Sequence, residues 1–436
     1  MLKVLRWLPL LLLPLAVLPG VVSAQSSSST IYVLHAEGTV NPVLVDYIER
    51  GIEQAEEDNA QACIIQLDTP GGLLDSTDKI VVAIMNADVP VIVYVSPKGA
   101  WAASAGVFIT LSAHIAVMTP GTTIGAAHPV SAGDEEMTEE EMEKIVNFSA
   151  KWMQTIADER GRNAEEAQLA VTESKSFTDS EALEYNLIDL RADSLDSLLS
   201  QVDGWQVNLA DGSTVTLDTQ DAVVEDIDMS AVERFLYTLA DPNIAYILLS
   251  LAILGITVEI FNPGLIFPGV TGAICGLFAF YSLGMLPVNY TGILLIALAF
   301  VLFVAEAFTS TFGLLTAGGI TSLVIGSLIL FKGGSLFQVD IWLIVLVAIC
   351  FAAFLAFVIN RVVAAHRRQA TTGREELPGK IAVVRTTLAP EGTVLHEGEI
   401  WKAILDQGRA EPKEEVIIER FDGLKLYVTK KEKGGS

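Results

Sequence analysis

The chain has 436 residues, more than one ordinary domain contains, and 51% of them are hydrophobic. A mean hydropathy of +0.47 is too high for a soluble protein, so part of the chain lies in a membrane. The net charge of −26 excludes nucleic acid as an expected partner, because binding to phosphates requires clustered Lys and Arg.

The N-terminus has the pattern of a secretory signal peptide. Lys3 and Arg6 precede the apolar run WLPLLLLPLAVLPGVV, and the small residues VSA end at Ala24. An uncleaved membrane anchor is the alternative, but the run is short and contains prolines, which favours cleavage. We therefore predict a signal peptide over residues 1–24 and export of the segment that follows.

Residues 30–192 alternate short apolar runs with amphipathic stretches. The runs IYVLHAEG, ACIIQLD and VPVIVYV are rich in β-branched residues, as strands buried on both faces are. Between the first two, apolar residues recur near helical spacing from Val43 to Ile52, with acids on the other face. This order predicts an α/β domain with a largely parallel sheet. Residues 193–241 are acidic and less regular, so we expect an appendage and linker with a hairpin around Asp211 and Gly212.

After Pro242 the chain becomes strongly apolar. Five spans of about the 20 residues that a bilayer crossing needs can be drawn between residues 244 and 359. They cover residues 244–260, 265–286, 292–307, 312–331 and 341–359. The basic cluster from Arg361 to Arg374 follows, as expected on the cytoplasmic side. An exported N-terminus and a cytoplasmic C-terminus require an odd number of crossings, which five satisfies; three is the alternative.

Residues 377–430 contain short alternating strands separated by Gly, Pro and acidic turns, which predicts a small five-stranded β barrel. Cys63, Cys275 and Cys350 lie far apart in the sequence, and the last two fall within apolar spans. We expect neither a disulfide framework nor a metal site.

A lone hydroxyl, Ser104, stands in the run GAWAASAGVFI at residues 99–109. Its small neighbours fit either a tight helix contact or a nucleophile that a substrate backbone must approach closely. Upstream, QLDTPGG at residues 66–72 ends a predicted strand, and its glycines allow backbone N–H groups to face a ligand. Gly71, Gly72 and Ala105, the last at the start of a helix, are candidates for stabilising an oxyanion beside Ser104.

A serine nucleophile also needs a base, and the sequence offers two candidates. His128 lies in GAAHPV and Lys144 in MEKIVN. A histidine in a loop and a lysine on a helix both have ordinary structural roles, so composition alone leaves the base open.

Four stretches within residues 31–190 resemble the ClpP-type serine proteases of the ClpP/crotonase fold: LDTPGG, AASAG, GAAHP and FTDSEALEYNLID. Together with the signal peptide, the membrane spans and the terminal barrel, the whole chain is similar to the long form of the NfeD family of membrane-bound serine proteases. The resemblance implies a ClpP-like protease domain at residues 30–192, an α-helical multi-span membrane domain at 244–359 and an OB-like NfeD domain at 377–430.

The resemblance also bears on the base. His128 matches the histidine of the ClpP triad, but Lys175 in ESKSF stands where that branch has its aspartate, and a positive charge cannot stabilise a protonated imidazole. In the NfeD proteases the base is a lysine on a helix after an acidic loop, and Lys144 with Asn147 matches it. A lysine accepts a proton at neutral pH only where its ammonium is desolvated. We therefore expect the loop over residues 131–143 or a neighbouring subunit to close over Lys144. We also expect this loop to be mobile without substrate and to become ordered on binding, and the acids near Lys144 to face solvent.

These observations predict a membrane-anchored serine endopeptidase in which Ser104 attacks, Lys144 is the base and no cofactor takes part. The resemblance implies a homo-oligomer that cleaves apolar segments of membrane-associated proteins, with stomatin- or flotillin-like partners. We expect a multi-pass protein of the cell membrane with an extracytoplasmic protease domain and a cytoplasmic barrel. The alternatives are a non-catalytic scaffold for stomatin- or flotillin-like assemblies, catalysis through His128, and a crotonase-fold enzyme acting on thioesters.

Overall fold

The computed structural model describes residues 29–130, 138–309, 311, 313–332, 334–367 and 377–431. The predicted signal peptide lies outside these residues. We refer to residues 29–241 as the N-terminal domain. Its strands are β1 (Thr30–Glu37), β2 (Ala62–Asp68), β3 (Val91–Val95), β4 (Trp101–Ala103), β5 (Ile115–Met118), β6 (Thr123–Gly125), β7 (Ser176–Thr178), β8 (Leu190–Arg191), β9 (Gln206–Asn208), β10 (Thr214–Thr216) and β11 (Val223–Ile227). Its helices are α1 (Pro42–Glu57), α2 (Leu74–Met85), α3 (Ala105–Ser112), α4 (Glu139–Glu159), α5 (Ala164–Thr172), α6 (Asp179–Glu184), α7 (Leu195–Val202) and α8 (Ala231–Leu239).

A six-stranded sheet forms the centre of the N-terminal domain, in the order β11, β1, β2, β3, β5, β8. Every neighbouring pair is parallel, as the alternation of strands and helices predicts. Side chains from both faces are buried, so the domain has two cores, one beneath α1 to α5 and one beneath α7 and the β9–β10 hairpin. Each fully buried Ile or Leu of these cores contributes about 1.5–3 kcal/mol of transfer free energy.

A second, small sheet holds the region of Ser104. Strand β6 lies in its middle, parallel to β4 and antiparallel to β7. Strand β4 also touches the end of β2 through a bridge between Thr69 and Ala102. Ser104 follows the last residue of β4 directly, so the small sheet fixes where that serine lies. The arrangement of the two sheets is the ClpP-like fold.

The segment over residues 193–241, expected to be an appendage and linker, contributes to the body of the domain. Strand β11 within it is an edge strand of the central sheet. Helix α8 packs against α1 through a bidentate ion pair between Arg50 and Glu233, with both hydrogen bonds at 2.8 Å. The predicted hairpin is present as the antiparallel pair β9–β10, with Gly212 at a φ of +83° in its turn. The sequence pattern missed β11 because acidic residues interrupt its apolar run.

The acidic segment over residues 131–143, expected to be a loop, is helical from Glu139 onward. Thr138 and Glu141 form a capping box, in which the Thr138 hydroxyl accepts the Glu141 N–H and the Glu141 carboxylate accepts the Thr138 N–H. The hydrogen bonds that the Glu141 carboxylate accepts from the Thr138 N–H and hydroxyl lower the pKa of Glu141. Residues 131–137 of the expected loop lie outside the described residues.

The apolar half of the chain forms α9 (Pro242–Phe261), α10 (Phe267–Met285), α11 (Tyr290–Phe308), α12 (Leu314–Leu328) and α13 (Ile341–Arg367). These helices coincide with the five spans drawn from the sequence. Among the described residues, three stretches are long and apolar enough to cross a membrane: Pro242–Phe261, Phe267–Met285 and Ile341–Val358. The apolar parts of α11 and α12 are shorter.

Helices α9 and α10 pack closely through glycine. A Cβ added to Gly255 would lie 2.5 Å from the carbonyl oxygen of Pro268 and 2.9 Å from the Cα atom of Gly272. Small residues at a crossing let two membrane helices approach to backbone contact. The pair therefore forms a tight hairpin.

The last part of the chain is a closed barrel, as predicted. Its strands are β12 (Ile381–Thr386), β13 (Glu391–His396), β14 (Glu399–Leu405), β15 (Glu415–Asp422) and β16 (Lys425–Lys430). They close in the order β12, β13, β14, β16, β15, and β14–β16 is the parallel pair. Alternate residues such as Val394, Ile418 and Val428 fill its interior. This architecture is OB-like.

Candidate functional site: a strained serine against a glycine loop

Ser104 has an unusual backbone conformation. Its φ of 51° and ψ of −108° lie in a region that residues with a side chain rarely adopt. The Ser104 N–H donates to the carbonyl oxygen of Gly125 at 3.0 Å, which ties this turn to the small sheet. The side chain is partly exposed, and no described residue forms a hydrogen bond with its Oγ. The strain therefore presents a free hydroxyl at the point where β4 gives way to α3.

The predicted glycine loop lies directly against this serine. Gly71 has a φ of +123°, and a Cβ added to it would lie 2.7 Å from Ser104 Cβ and 3.2 Å from Ser104 Oγ. A Cβ added to Gly72 would lie 2.1 Å from the carbonyl oxygen of Val40. Any larger residue at either position would therefore move the loop or the serine.

Two backbone N–H groups near the hydroxyl are without an acceptor among the described residues. Ala105 is the first residue of α3, where an N–H has no partner within the helix, and the N–H of Gly72 forms no hydrogen bond. The third predicted donor differs, because the N–H of Gly71 donates to Thr69 Oγ1 at 3.1 Å. Gly72 and Ala105 are thus available for an oxyanion, whereas Gly71 becomes available only if Thr69 releases it.

His128 is held by a backbone carbonyl and not by a carboxylate. Its Nδ1 donates to the carbonyl oxygen of Val171 at 2.8 Å. Lys175, at the position where the ClpP triad has aspartate, forms an ion pair with Glu166 at 2.5 Å. The hydrogen bond with Glu166 raises the pKa of Lys175, so this side chain stays cationic. None of the described acids contacts the His128 ring.

Lys144 lies on α4, as predicted, but not in contact with Ser104. Its Nζ pairs with Glu140 Oε1 at 2.8 Å, one helical turn earlier, and 69% of its side chain is exposed. Glu140 faces solvent, as expected for the acids near Lys144, with 78% of its side chain exposed, but it also forms an ion pair with the lysine. In solvent an i,i+4 carboxylate is the nearest counter-charge for a lysine on a helix.

Two supporting contacts escaped the sequence reasoning. Thr69 Oγ1 holds the Gly71 N–H, and the Asp68 carboxylate accepts the Trp101 N–H at 2.9 Å. A threonine two residues before a glycine is the pattern of a turn closed by a side-chain hydroxyl, so the run DTPGG contained a signal for the first contact. The second joins residues 33 positions apart, which no local pattern predicts.

An α/β domain that presents a partly exposed serine beside backbone N–H groups without an acceptor among the described residues has the arrangement that serine hydrolases use. Three family models match the chain: "NfeD1b, N-terminal domain" at residues 30–226, "NfeD integral membrane domain" at 243–361 and "NfeD-like C-terminal, partner-binding domain" at 374–430. Membrane-bound protease PH1510 of Pyrococcus horikoshii is 38% identical over 435 residues, covering 98% of this chain and 99% of that protein. The chain belongs to the NfeD family and is a membrane-bound serine peptidase.

Two further proteins are similar to this chain. Membrane protein NfeD1b of Bacillus subtilis is 27% identical over 430 residues, covering 93% of this chain and 94% of that protein. A solved structure of 1510-N from Pyrococcus horikoshii, described as a membrane protease specific for a stomatin homolog, is 34% identical. It covers 49% of this chain and all of the solved chain, with a TM-score of 0.44.

Proposed function

We propose that Ser104 is the nucleophile and Lys144 the general base of this peptidase. The observation that carries the proposal is the backbone of Ser104, which is strained toward a glycine loop and leaves its hydroxyl without a hydrogen-bond partner in the part of the chain that the structure describes. Strain of this kind persists only where the surrounding structure imposes it, and it concentrates at catalytic positions. A serine that merely filled a helix contact would have no need of it.

In the proposed reaction Ser104 Oγ attacks the carbonyl carbon of the scissile peptide bond, and its proton passes to the neutral amine of Lys144. The N–H groups of Gly72 and Ala105 donate to the oxyanion that forms. Lys144 then returns the proton to the leaving amine, and the C–N bond breaks. Water, deprotonated by the same lysine, hydrolyses the acyl-enzyme and restores Ser104.

This chemistry requires Lys144 to leave Glu140 and to become desolvated. The first turns of α4 offer an apolar surface for the purpose, with Met142, Ile145 and Val146 half-buried and Phe148 65% exposed. We propose that substrate and a second copy of the chain cover this surface and bring Lys144 toward Ser104. Burial would then favour the neutral amine.

His128 is the second candidate base. Donation from its Nδ1 to Val171 leaves Nε2 as the nitrogen with a free lone pair, which is the tautomer that a general base needs. It lacks the carboxylate that would stabilise its protonated form. Lys144 is therefore the preferred base, and substitutions of both side chains distinguish the two.

We propose that the substrate is an apolar segment of a membrane-associated protein of the stomatin class. Trp101 on β4 is 56% exposed, and Val130, beyond β6, is 70% exposed. Both lie on segments that lead to or from the Ser104 turn, so they are placed to bind apolar side chains. The relative 1510-N is described as specific for a stomatin homolog, which is the same class of substrate.

We further propose that the N-terminal domain lies outside the cytoplasm and the barrel inside it. The signal-peptide pattern supports the first part and the basic cluster after α13 supports the second. The proteolytic site and the barrel would then face opposite sides of the lipid bilayer. A partner held by the barrel in the cytoplasm would be cleaved only where its apolar segment reaches the other side.

The test incubates the purified full chain with apolar peptides and identifies fragments by mass spectrometry. We expect cleavage by the wild type and none by Ser104→Ala, whereas the control Ser112→Ala, at the other end of α3, retains activity. Peptide binding without cleavage by the wild type would contradict the proposal and favour the scaffold alternative. Cleavage by Ser104→Ala would contradict the choice of nucleophile.

A further inference from the structure

The glycine loop beside Ser104 is held from behind by the segment Gly38–Val40. The Gly38 N–H donates to the Asp68 carbonyl, the Val40 N–H to the Gly71 carbonyl, and the Leu73 N–H to the Val40 carbonyl, each at 2.9 Å. These bonds bracket Gly71 and Gly72 on both sides. The position of the Gly72 N–H therefore follows the position of this segment.

Tyr237 of α8 holds the same segment from its other side. The Tyr237 hydroxyl donates to the carbonyl oxygen of Glu37 at 2.8 Å, and the carbonyl oxygen of Thr39 is a second acceptor at 3.2 Å. Gly38 lies so close to this tyrosine that a Cβ added to it would be 2.6 Å from the Tyr237 hydroxyl oxygen. Burial raises the pKa of Tyr237 to about 12, so the hydroxyl remains a donor at any physiological pH.

Helix α8 also contacts the first two membrane helices, α9 and α10. It ends at Leu239, and Asp241 caps the first turn of α9 immediately afterwards. Ser282 of α10 donates to the Leu239 carbonyl at 2.5 Å, and the rings of Phe235 and Phe278 meet edge to face at 5.4 Å. The helix is thus fixed to the first two membrane helices and, through Tyr237, to the segment behind the oxyanion loop.

We propose that Tyr237 is a positioning residue that couples the α9–α10 hairpin to the oxyanion loop of the peptidase. The chain of contacts runs from α10 through α8 and Gly38–Val40 to Gly72, with a hydrogen bond or backbone contact at each step. A shift of the hairpin in the bilayer then alters the N–H groups that stabilise the transition state. The inference rests on the proposed role of Ser104 and assigns regulation of that site to the membrane anchor.

The experiment compares Tyr237→Phe with Tyr32→Phe in the full chain, reconstituted in phospholipid nanodiscs. Tyr32→Phe is a matched control because it removes a tyrosine hydroxyl bond of the same 2.8 Å length, to Asp58 at the end of α1. For Tyr237→Phe we expect kcat to fall about tenfold with KM unchanged, because the affected interaction acts in the transition state. Binding of a peptide boronic acid, which forms a tetrahedral adduct, should weaken by the same factor.

Wild-type kcat in Tyr237→Phe, or a loss confined to KM, would overturn the coupling. Ser104→Ala, measured alongside, distinguishes failure of the proposed nucleophile from failure of the proposed coupling. Activity in Ser104→Ala means that the proposed nucleophile is wrong, whereas an inactive Ser104→Ala beside a fully active Tyr237→Phe means that only the coupling is wrong. If Tyr237→Phe does not accumulate, Glu233→Gln loosens α8 on α1 and keeps the tyrosine. The same loss of kcat is expected there, and an unchanged kcat would count against the coupling.

Discussion

Gly71 and Ser104 illustrate how closely the site constrains single residues. A methyl group at position 71 would meet Ser104 Cβ at 2.7 Å, and the φ of +123° is itself unfavourable for alanine. We expect Gly71→Ala to displace the loop, and with it the Gly72 N–H, and so to lower kcat by about 10² or more, as the loss of an oxyanion donor does. The measurement is kcat beside the thermal unfolding midpoint of the same protein.

Gly212→Ala is the control for that substitution. Gly212 also has a positive φ, of +83°, but no atom lies within 4 Å of an added Cβ. Gly212→Ala therefore measures the effect of alanine at a positive φ without a steric contact such as the one that Gly71→Ala makes with Ser104. If both variants keep wild-type kcat, Gly71 is not part of the catalytic machinery.

The residues of the site were accessible to sequence reasoning to different degrees. Ser104 and the glycine loop stood out because hydroxyl and glycine have few reasons to occur in apolar runs, and the structure brings them together. The partners of charged side chains were not predictable in this way. Glu140 lies one helical turn before Lys144, so its pairing follows from the spacing only once the helix is known to begin at Glu139, whereas no local pattern predicts Glu166 beside Lys175.

At the scale of elements, the end of α3 is held by a buried basic cluster. Arg162 donates to the carbonyl oxygens of Leu111 and Ala113 and pairs with Asp189 at 2.6 Å. His114 accepts the Val91 N–H at 3.1 Å through Nδ1. Burial, reinforced by the charges of Arg160 and Arg162, lowers the pKa of His114 to about 3.

The depressed pKa of His114 predicts an acid-sensitive N-terminal domain. Above about pH 6.5 the imidazole is neutral in both folded and unfolded chains and contributes no pH dependence. As the pH falls from about 6.5 toward 3, the unfolded chain takes up a proton that the folded chain excludes. Stability should then fall by about 1.4 kcal/mol per pH unit.

His114→Asn keeps an acceptor for the Val91 N–H and removes the titrating group. We expect denaturant unfolding of this variant to show a flatter dependence on pH between 4 and 6.5 than the wild type. Identical slopes for the two proteins would show that the imidazole titrates normally in the folded chain.

The elements also show where sequence patterns lose information. β1, β2 and β3 were predictable because strands buried on both faces are continuous apolar runs. β11 was not, since an edge strand is half solvated and this one has the exposed sequence VVED before Ile227. The helical start of α4 was missed for a related reason: its first turn is all acidic, which favours a helix N-terminus as much as a loop.

For the whole molecule, the order of α/β domain, apolar helices and barrel was predictable because composition changes sharply between them, whereas the signal peptide remains a prediction. The matched family models cover residues 30–226, 243–361 and 374–430, and the first of them extends beyond residue 192, where the protease domain was expected to end. What composition could not provide is the continuity between parts. Helix α8 is part of the N-terminal domain and also packs against the α9–α10 hairpin. Its contacts join residues up to 200 positions apart.

The proposed sidedness can be measured with fused reporters. A reporter that is active only in the cytoplasm should be active when fused to the C-terminus, and one active only outside should be inactive there. The prediction follows from an odd number of crossings after an exported N-terminal domain. A stably expressed cytoplasmic reporter that remains inactive would contradict it.

The Ser104–Lys144 dyad is tested most directly by peptide cleavage with the full chain and three substitutions of the two candidate bases. We expect Lys144→Ala and Lys144→Arg to be as inactive as Ser104→Ala, because members of a catalytic unit fail together and a guanidinium does not release its proton. His128→Ala should retain most of the activity. An active Lys144→Ala beside an inactive His128→Ala would contradict the dyad and make His128 the base.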